Sequence, residues 1–349
     1  NSPTSAVQVF ATEWSTFKAF SSEARVQSSF DGPINGMLGA YYQKTNRDYL
    51  AWTASGALEN SLAPKPFQRF LANSKDSETD GKTLALFGQL AWKVVSSVEL
   101  AAGARYTHET KDSYFLQPYS HPIRVAQGIF SPGVTLPSAQ TFNDWSPEAT
   151  ITWQASDDVT AYAAYKTAYK SGGFSNSGIL SPTAGIADFE FEPETASGFE
   201  GGIKTLLADR QLRLNLGLYS YKYKNLQLDF FRSDIFAFST INAGSARTKG
   251  VEVEFQYAPR SLAGFDLHGS LNYNKARYGD ASGAPCYQGQ TPLMGCTVVV
   301  GQGPRQNLRG LPTAMAPKWT GTLGVNFDTD VAEDLKLGVS VDGRYSGKY

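Results

Sequence analysis

Hydrophobic and polar residues alternate with a period of two along most of the chain. Val98, Leu100, Ala102, Ala104 and Tyr106 alternate with Glu99, Ala101, Gly103, Arg105 and Thr107. Leu84, Leu86, Leu90 and Trp92 share one side, with Gln89 and Lys93 on the other. Val251, Val253, Phe255 and Tyr257 oppose Glu252, Glu254 and Gln256, and the same rule holds through Leu267, Leu271 and Tyr273, through Leu323, Val325 and Phe327, and from Leu335 to Val341. Successive side chains on a strand point to opposite faces, so each stretch has one apolar and one polar face. The pattern predicts about twelve strands, each near the ~10 residues a tilted membrane strand requires. Their expected spans are 20–29, 34–44, 83–94, 97–110, 145–155, 159–171, 194–205, 211–228, 247–258, 265–278, 318–328 and 335–348.

The connections sharpen this. Short links at Asp31-Gly32-Pro33, Ser156-Asp157-Asp158, Leu206 to Arg210 and Pro259 to Gly264 alternate with long ones over 45–82, 111–144, 172–193, 229–246 and 279–317. Membrane barrels of the outer-membrane type are built with short periplasmic turns and long exterior loops. A soluble sandwich has no reason to gather its long loops at one end. The stretch 211–228 is less regular: Leu212, Leu214, Leu216 and Leu218 mark one face, Tyr219, Tyr221 and Tyr223 the other, and Lys222 and Lys224 continue the leucine face. Either the strand rises past the lipid into solvent, or a bulge reverses its faces.

Composition agrees with a barrel. There are 18 Tyr, 21 Phe, 6 Trp and 33 Gly, while charged residues make up 18%, below the roughly 25% of a soluble domain. Mean hydropathy is −0.30, and no run approaches the ~20 apolar residues of a membrane-spanning helix. With 31 basic and 32 acidic residues the formal charge is −1, which gives no reason to expect nucleic acid as a partner. Asn1-Ser2-Pro3-Thr4 has neither the basic start nor the apolar core of a signal peptide, so a longer exported protein is expected. Cys286 and Cys296, close together in a Gly/Pro-rich stretch, suggest a disulfide in an oxidising compartment. Such a staple contributes roughly 2–3 kcal/mol and stiffens its loop; a redox role is the alternative.

Several segments resemble the barrels of TonB-dependent receptors. Phe189-Glu190-Phe191-Glu192-Pro193-Glu194-Thr195, running into Phe199-Glu200-Gly201-Gly202-Ile203-Lys204, is similar to the Pro-Glu stretch that begins a strand in that family. Ile241-Asn242-Ala243-Gly244 followed by Lys249-Gly250-Val251-Glu252-Val253-Glu254 is similar to the opening of a later strand. Tyr165 to Phe174 resembles the strand before the Pro-Glu loop, and Ala316-Pro317-Lys318-Trp319 a strand start nearer the C-terminus. The resemblance covers roughly residues 20–349. It implies an all-β fold, a transmembrane antiparallel β-barrel in which about twelve strands of a roughly 22-stranded wall are present. Residues 1–349 would then be a partial barrel domain, with the plug, the TonB-gripping segment and the other strands outside them. The implied function is energised import of a scarce ligand across the bacterial outer membrane, most commonly a ferric siderophore, driven by the TonB–ExbB–ExbD complex through plug remodelling. Uptake of an oligosaccharide, vitamin or aromatic compound is the alternative within the family; a passive porin or a structural barrel is the alternative outside it.

Enzymatic chemistry finds little support. The three histidines, His108, His121 and His268, accompany no GxSxG, HExxH or glycine-rich phosphate loop. His268 alternates with polar wall residues and reads as lumen lining, while His121 in a long connection and His108 near a strand end read as solvated. No catalytic residue, metal ligand or cofactor is expected. Candidate ligand contacts are the aromatic loop residues Tyr114, Tyr119, His121, Phe231, Arg232, Phe236 and Phe238, since aromatic faces beside an Arg suit a planar or anionic chelate. Lys166 and Lys170, on the polar side of their strand, would draw an anion inward. The competing reading is that these side chains pack loops together or form the outer aromatic belt. Glu200, Glu252 and Glu254 either hydrogen-bond a plug or simply line a polar wall.

Overall fold

The computed structural model describes residues 9–348 apart from 64, 130, 177, 179–181, 183, 233–236, 288 and 300–302, and only the backbone of 67, 231, 232, 237, 238, 299 and 303. Twelve strands form one sheet: β1 (Val9–Gln27), β2 (Ile34–Ser55), β3 (Leu71–Val95), β4 (Val98–Ser120), β5 (Thr135–Ser156), β6 (Val159–Lys170), β7 (Glu194–Leu207), β8 (Leu212–Lys224), β9 (Ser245–Tyr257), β10 (Phe265–Tyr278), β11 (Trp319–Ala332) and β12 (Leu335–Ser346). Each pairs antiparallel with its sequence neighbours, so the order in space is the order in the chain. Such a meander needs only local turns and keeps one alternation of faces across the whole wall.

That alternation places the apolar set on the outside. Leu38, Leu86, Leu90, Trp145, Phe199, Leu323 and Val341 are among the most exposed large apolar side chains of the molecule. An exposed apolar face of this extent is incompatible with water and suited to lipid. Aromatic pairs bridge neighbouring strands along this face: Tyr106 with Trp145 at 5.0 Å, Tyr165 with Phe199 at 5.0 Å and Tyr273 with Trp319 at 4.8 Å between ring centroids. They form part of the interfacial belt of a membrane barrel. No described helix is long and apolar enough to cross a membrane.

Three sequence expectations are corrected. The connections expected over 45–82 and 111–144 are mostly ladder: β2 and β3 stay paired up to Ala54 and Leu71, and β4 and β5 up to Leu116 and Thr135. These segments lost their apolar alternation because above the lipid both faces meet water or loops, so polar residues fill both sides (Asp48, Asp76, Glu78 and Asp80 on the outer, Arg47, Lys75, Ser77 and Thr79 on the inner) while the backbone pairing continues. The first strand begins at Val9, not near residue 20. The stretch expected as one strand over 211–228 ends at Lys224, and a second, two-stranded hairpin (Gln227–Arg232 with Ala237–Asn242) follows. The faces of β8 do not reverse: its register against β7 and β9 is unbroken from Leu212 to Lys224. Tyr219 and Tyr221 therefore lie on the lumen side, and Lys222 and Lys224 on the outer side above the lipid.

Gly250 is required by close packing on the lumen side. A Cβ there would lie 2.5 Å from Tyr219 Oη and overlap the Tyr273 carbonyl. The ring thus crosses the neighbouring strand over a bare backbone. Gly250→Val is expected to destabilise the barrel by about 1–3 kcal/mol through overpacking, read by urea unfolding in lipid vesicles. Gly217→Ala on the adjacent strand, where the nearest atom is Glu252 Cβ at 3.9 Å, should leave the midpoint unchanged or slightly raised.

Candidate functional site

The polar face of β6 to β11 lines a groove of about 830 Å³ whose walls carry Tyr162, Lys204, Arg213, Glu252, Glu254 and His268. Along the same polar face, above and beside the groove, several charges are matched across strands. Lys166 Nζ donates to Glu200 Oε1 at 2.6 Å, and Tyr221 Oη donates to Glu200 Oε2 at 2.7 Å. His268 Nδ1 lies 2.8 Å from Asp266 Oδ1, its Nε2 3.4 Å from Asp342 Oδ1, and Asp266 also accepts from Gln256 Nε2 at 2.7 Å. His268 thus sits in the lumen wall, and neither a serine nor a third catalytic partner is among these contacts. On β4, the Arg105 guanidinium stands 5.2 Å from the Tyr41 ring centroid and 5.4 Å from that of Phe87.

At the loop end of the wall, segments far apart in sequence are latched together. Asn242 does most of this: its Oδ1 accepts from Glu192 N at 2.7 Å, and its Nδ2 donates to Glu192 O at 2.8 Å and Asn225 O at 2.9 Å. Gln227 Nε2 donates to Ser171 O at 2.9 Å and Glu192 O at 3.0 Å, while its backbone N–H reaches Glu194 Oε2 at 2.8 Å. Lys111 Nζ, 3.1 Å from Glu109 Oε1, donates to Ser171 Oγ and to Gly172 O, each at 2.7 Å, and Ser171 Oγ donates back to Glu109. The Ser171-Gly172, Glu192-Pro193-Glu194 and Ile241-Asn242 segments, recognisable separately in the sequence, are therefore one hydrogen-bonded unit. Lys111 and Gln227 went unseen in the sequence, because neither belongs to a motif and only the fold brings them to Ser171. Beside this unit, Phe115 and Phe189 are buried and stacked with centroids 4.6 Å apart, with Leu136 and Ala184 packed against them.

The candidate ligand contacts fall in different places. Tyr114 Oη donates to Asp76 Oδ1 at 3.2 Å; burial, then the Asp76 carboxylate, pushes its phenol up from the ordinary value. Tyr119 Oη accepts from Asn60 Nδ2 at 3.4 Å, tying the 56–70 loop to the hairpin. Lys166 is engaged by Glu200, whereas Lys170 is exposed and opposite Glu194 in register. The side chains of Phe231, Arg232 and Phe238, and all of Phe236, lie outside the described residues. Cys286 and Cys296 are joined, with Cα atoms 5.8 Å apart, inside a loop that carries a three-stranded sheet of its own.

His121 is not solvated. It is buried, its backbone N–H donates to Ala72 O at 2.9 Å, and its Nδ1 accepts from Ile123 N at 3.2 Å to cap the short helix Pro122–Ala126. Proline at position 122 left this cap to the residue before it. Burial, then the nearby Arg124, lowers its pKa below the ordinary 6.5. Because the unfolded tip binds a proton that the native one resists, native stability falls as pH drops below about 6.5 and is constant above it. Proteolysis at the 121–134 tip should accelerate between pH 7.5 and 5.5 in the wild type, and much less in His121→Asn, which keeps an acceptor without titrating. Lys75, another residue that sequence reading passed over, is buried in the extramembrane part of β3; burial pushes its ammonium down to about 8, with Glu13 opposing.

An antiparallel wall with a lipid-facing apolar side, a polar lumen and long latched loops at one end is that of a transmembrane β-barrel receptor or channel. Residues 2–349 match the family described as TonB dependent receptor-like, β-barrel, and the chain belongs to it. Among curated relatives, the pesticin receptor of Yersinia pestis is 22% identical over 249 residues, covering 71% of this chain and 33% of its own length. Among solved structures, the ferric yersiniabactin uptake receptor FyuA from Yersinia pestis superposes with a TM-score of 0.71 at 17% identity, over 96% of this chain and 43% of that one. The siderophore receptor PiuA from Acinetobacter baumannii gives 0.61 at 16% identity, over 94% and 46%. The chain thus spans a third of the length of its curated relatives and less than half of its structural neighbours.

Proposed function

We propose that this chain is a barrel segment of an outer-membrane receptor that imports a ferric siderophore by TonB-dependent remodelling of a plug. The short turns would face the periplasm and the long loops the exterior. Residues 1–349 would supply part of the wall, and the plug and remaining strands would come from the rest of the receptor. The family supplies the transporter class; the observation that carries the ligand reading is that the solved neighbours named above are siderophore receptors. The mouth of the barrel is compatible with it. Arg105 between Tyr41 and Phe87, Lys111 against Phe142 at 5.7 Å, and the exposed Lys170 offer cation and ring surfaces to an anionic chelate. Tyr114 and Tyr119 from the end of β4, and Phe231, Arg232, Phe236 and Phe238 from the 227–242 segment, are proposed contributors, with Tyr119 acting through the 56–70 loop it holds. The carboxylate pairing of Lys166 and Lys111 favours the second reading, uptake of a neutral saccharide or vitamin, since paired cations exert little pull on a distant anion.

The test is uptake of radiolabelled iron under iron starvation, across a panel of siderophores, in cells with and without the full-length gene and with and without TonB. Loss of uptake of one chelate in both deletions is the expected result. Unchanged iron uptake throughout would overturn the siderophore assignment and leave the second reading.

A further inference from the structure

On the outer face of β8, β9 and β10, just beyond the apolar band, basic residues stand side by side in register. Lys222 pairs with Arg247, and Arg247 with Arg277; one row nearer the lipid, Lys249 pairs with Lys275. The next row down is apolar and aromatic: Leu218, Val251, Tyr273 and Trp319. Lys318 joins the group from the start of β11, its Nζ 5.5 Å from the Tyr273 ring centroid. All six cations are exposed. Among the described residues none forms an ion pair with a carboxylate, and the Arg277 guanidinium donates a hydrogen bond to Gly310 O.

Like charges directly opposite each other across strands are destabilising. With neighbouring strands ~4.8 Å apart and successive same-face rows ~7 Å apart, these side chains concentrate positive charge in a small area. The same level on β2 and β3 is built differently. There the outer face carries Lys44 opposite Lys82, and within two rows Asp80, Asp48 and Glu78 follow, with Asn46 Nδ2 donating to Glu78 Oε1 at 2.7 Å. Charge is balanced within the wall on one side of the sheet and left to an external anion on the other. The height of the patch says which anion. A row directly above an interfacial aromatic belt lies at the level of lipid headgroups, where lysine and arginine meet phosphate.

We propose that this patch binds the phosphate groups of a phosphorylated glycolipid in the outer leaflet, with the lipid's acyl chains against Leu218, Val251 and Tyr273. The assignment rests on the reading of the chain as an outer-membrane barrel with its long loops outward. The test uses the full-length receptor, fractionated from membranes, purified in detergent and titrated with fluorescent lipid A. Wild type is compared with Arg247→Gln/Lys249→Gln/Lys275→Gln/Arg277→Gln and with the charge-preserving Arg247→Lys/Arg277→Lys. Heat-modifiable gel mobility reports that each barrel is folded; should the fourfold variant fail to fold, Lys249→Gln/Lys275→Gln replaces it. Diphosphorylated lipid A should bind wild type and the charge-preserving variant alike, and the neutralised variant at least about tenfold more weakly. Dephosphorylated lipid A should bind all of them weakly, and inorganic phosphate at equal concentration should not displace the lipid. Equal binding by the neutralised variant, equal binding of the dephosphorylated lipid by wild type, or displacement by free phosphate would overturn the proposal. If the receptor fractionates with the outer membrane and still fails these titrations, this proposal alone falls; if it does not fractionate there, the outer-membrane reading falls with it.

Discussion

Leu86→Arg should cost the folded barrel about 1–2 kcal/mol, the penalty of a cation on the lipid-facing band beside its aromatic belt, between the full cost at the middle and the small one at the interface. Leu86 is 63% exposed and lies between Ala40 on β2 and Tyr106 on β4. In water such exposure would mean nothing in particular, and Arg would be harmless there. In lipid it removes an apolar contact and strands a charge that can only snorkel toward an interface. Gln89→Arg, three residues on, places the same side chain on the opposite face. There Gln89 Nε2 already lies 3.4 Å from Glu148 Oε1, so the new guanidinium gains a carboxylate partner and the change should stay within about 0.5 kcal/mol. Urea unfolding of the full-length receptor in vesicles measures both. Equal costs at the two positions would show that the faces are assigned wrongly or that the sheet does not lie in lipid.

That contrast was legible in the sequence because lipid imposes one rule on every second residue. Wherever the outer face touches hydrocarbon, as from Leu84 to Trp92 or Val98 to Tyr106, alternation is clean and the strands were placed within a few residues. Above the lipid the rule lapses. The ladder through Asp76, Glu78 and Asp80 is as well paired as the one below it, yet its sequence carries no apolar stripe, so it read as loop. The same blindness hid the latch. Asn242 and Glu192 were visible as parts of motifs, but their contact across 50 residues is a side-chain hydrogen bond to a loop backbone, which no local pattern encodes. His121 was misread for a related reason: a histidine beside a proline in a polar segment gives no hint that its ring is turned inward as a helix cap. The register of β8, by contrast, needed only the partner strands, since a tyrosine row facing inward and a lysine row rising outward are consistent with unbroken alternation once the lipid ends near Leu218.

Phe189→Ala is expected to release the loop that holds the Pro-Glu segment while the membrane wall stays folded. Phe189 is one of two buried aromatic residues stacked outside the lipid, and its backbone also accepts from Ser175 N at 2.6 Å. Truncating a buried phenylalanine costs about 3–5 kcal/mol in a protein core. Loops of this kind open with free energies below that of the whole fold, so the loss falls on a local equilibrium able to absorb only part of it. Amide exchange at Ser175, at Glu192 and at Thr240, whose N–H donates to Ser175 Oγ at 3.0 Å, should rise by two orders of magnitude or more, and exchange in β8 to β10 should not change. Asn242→Ala, which removes hydrogen bonds that water can partly replace, should move the same amides less, by about 1–2 kcal/mol. The ordering is the informative part. If Phe189→Ala leaves Thr240 protected, the 172–193 loop and the 227–242 hairpin are not one unit, and the hydrogen bonds between them merely accompany two loops that open separately. If both rise together, the latch couples the loops around the mouth, and a ligand held by either one is gripped or released by both.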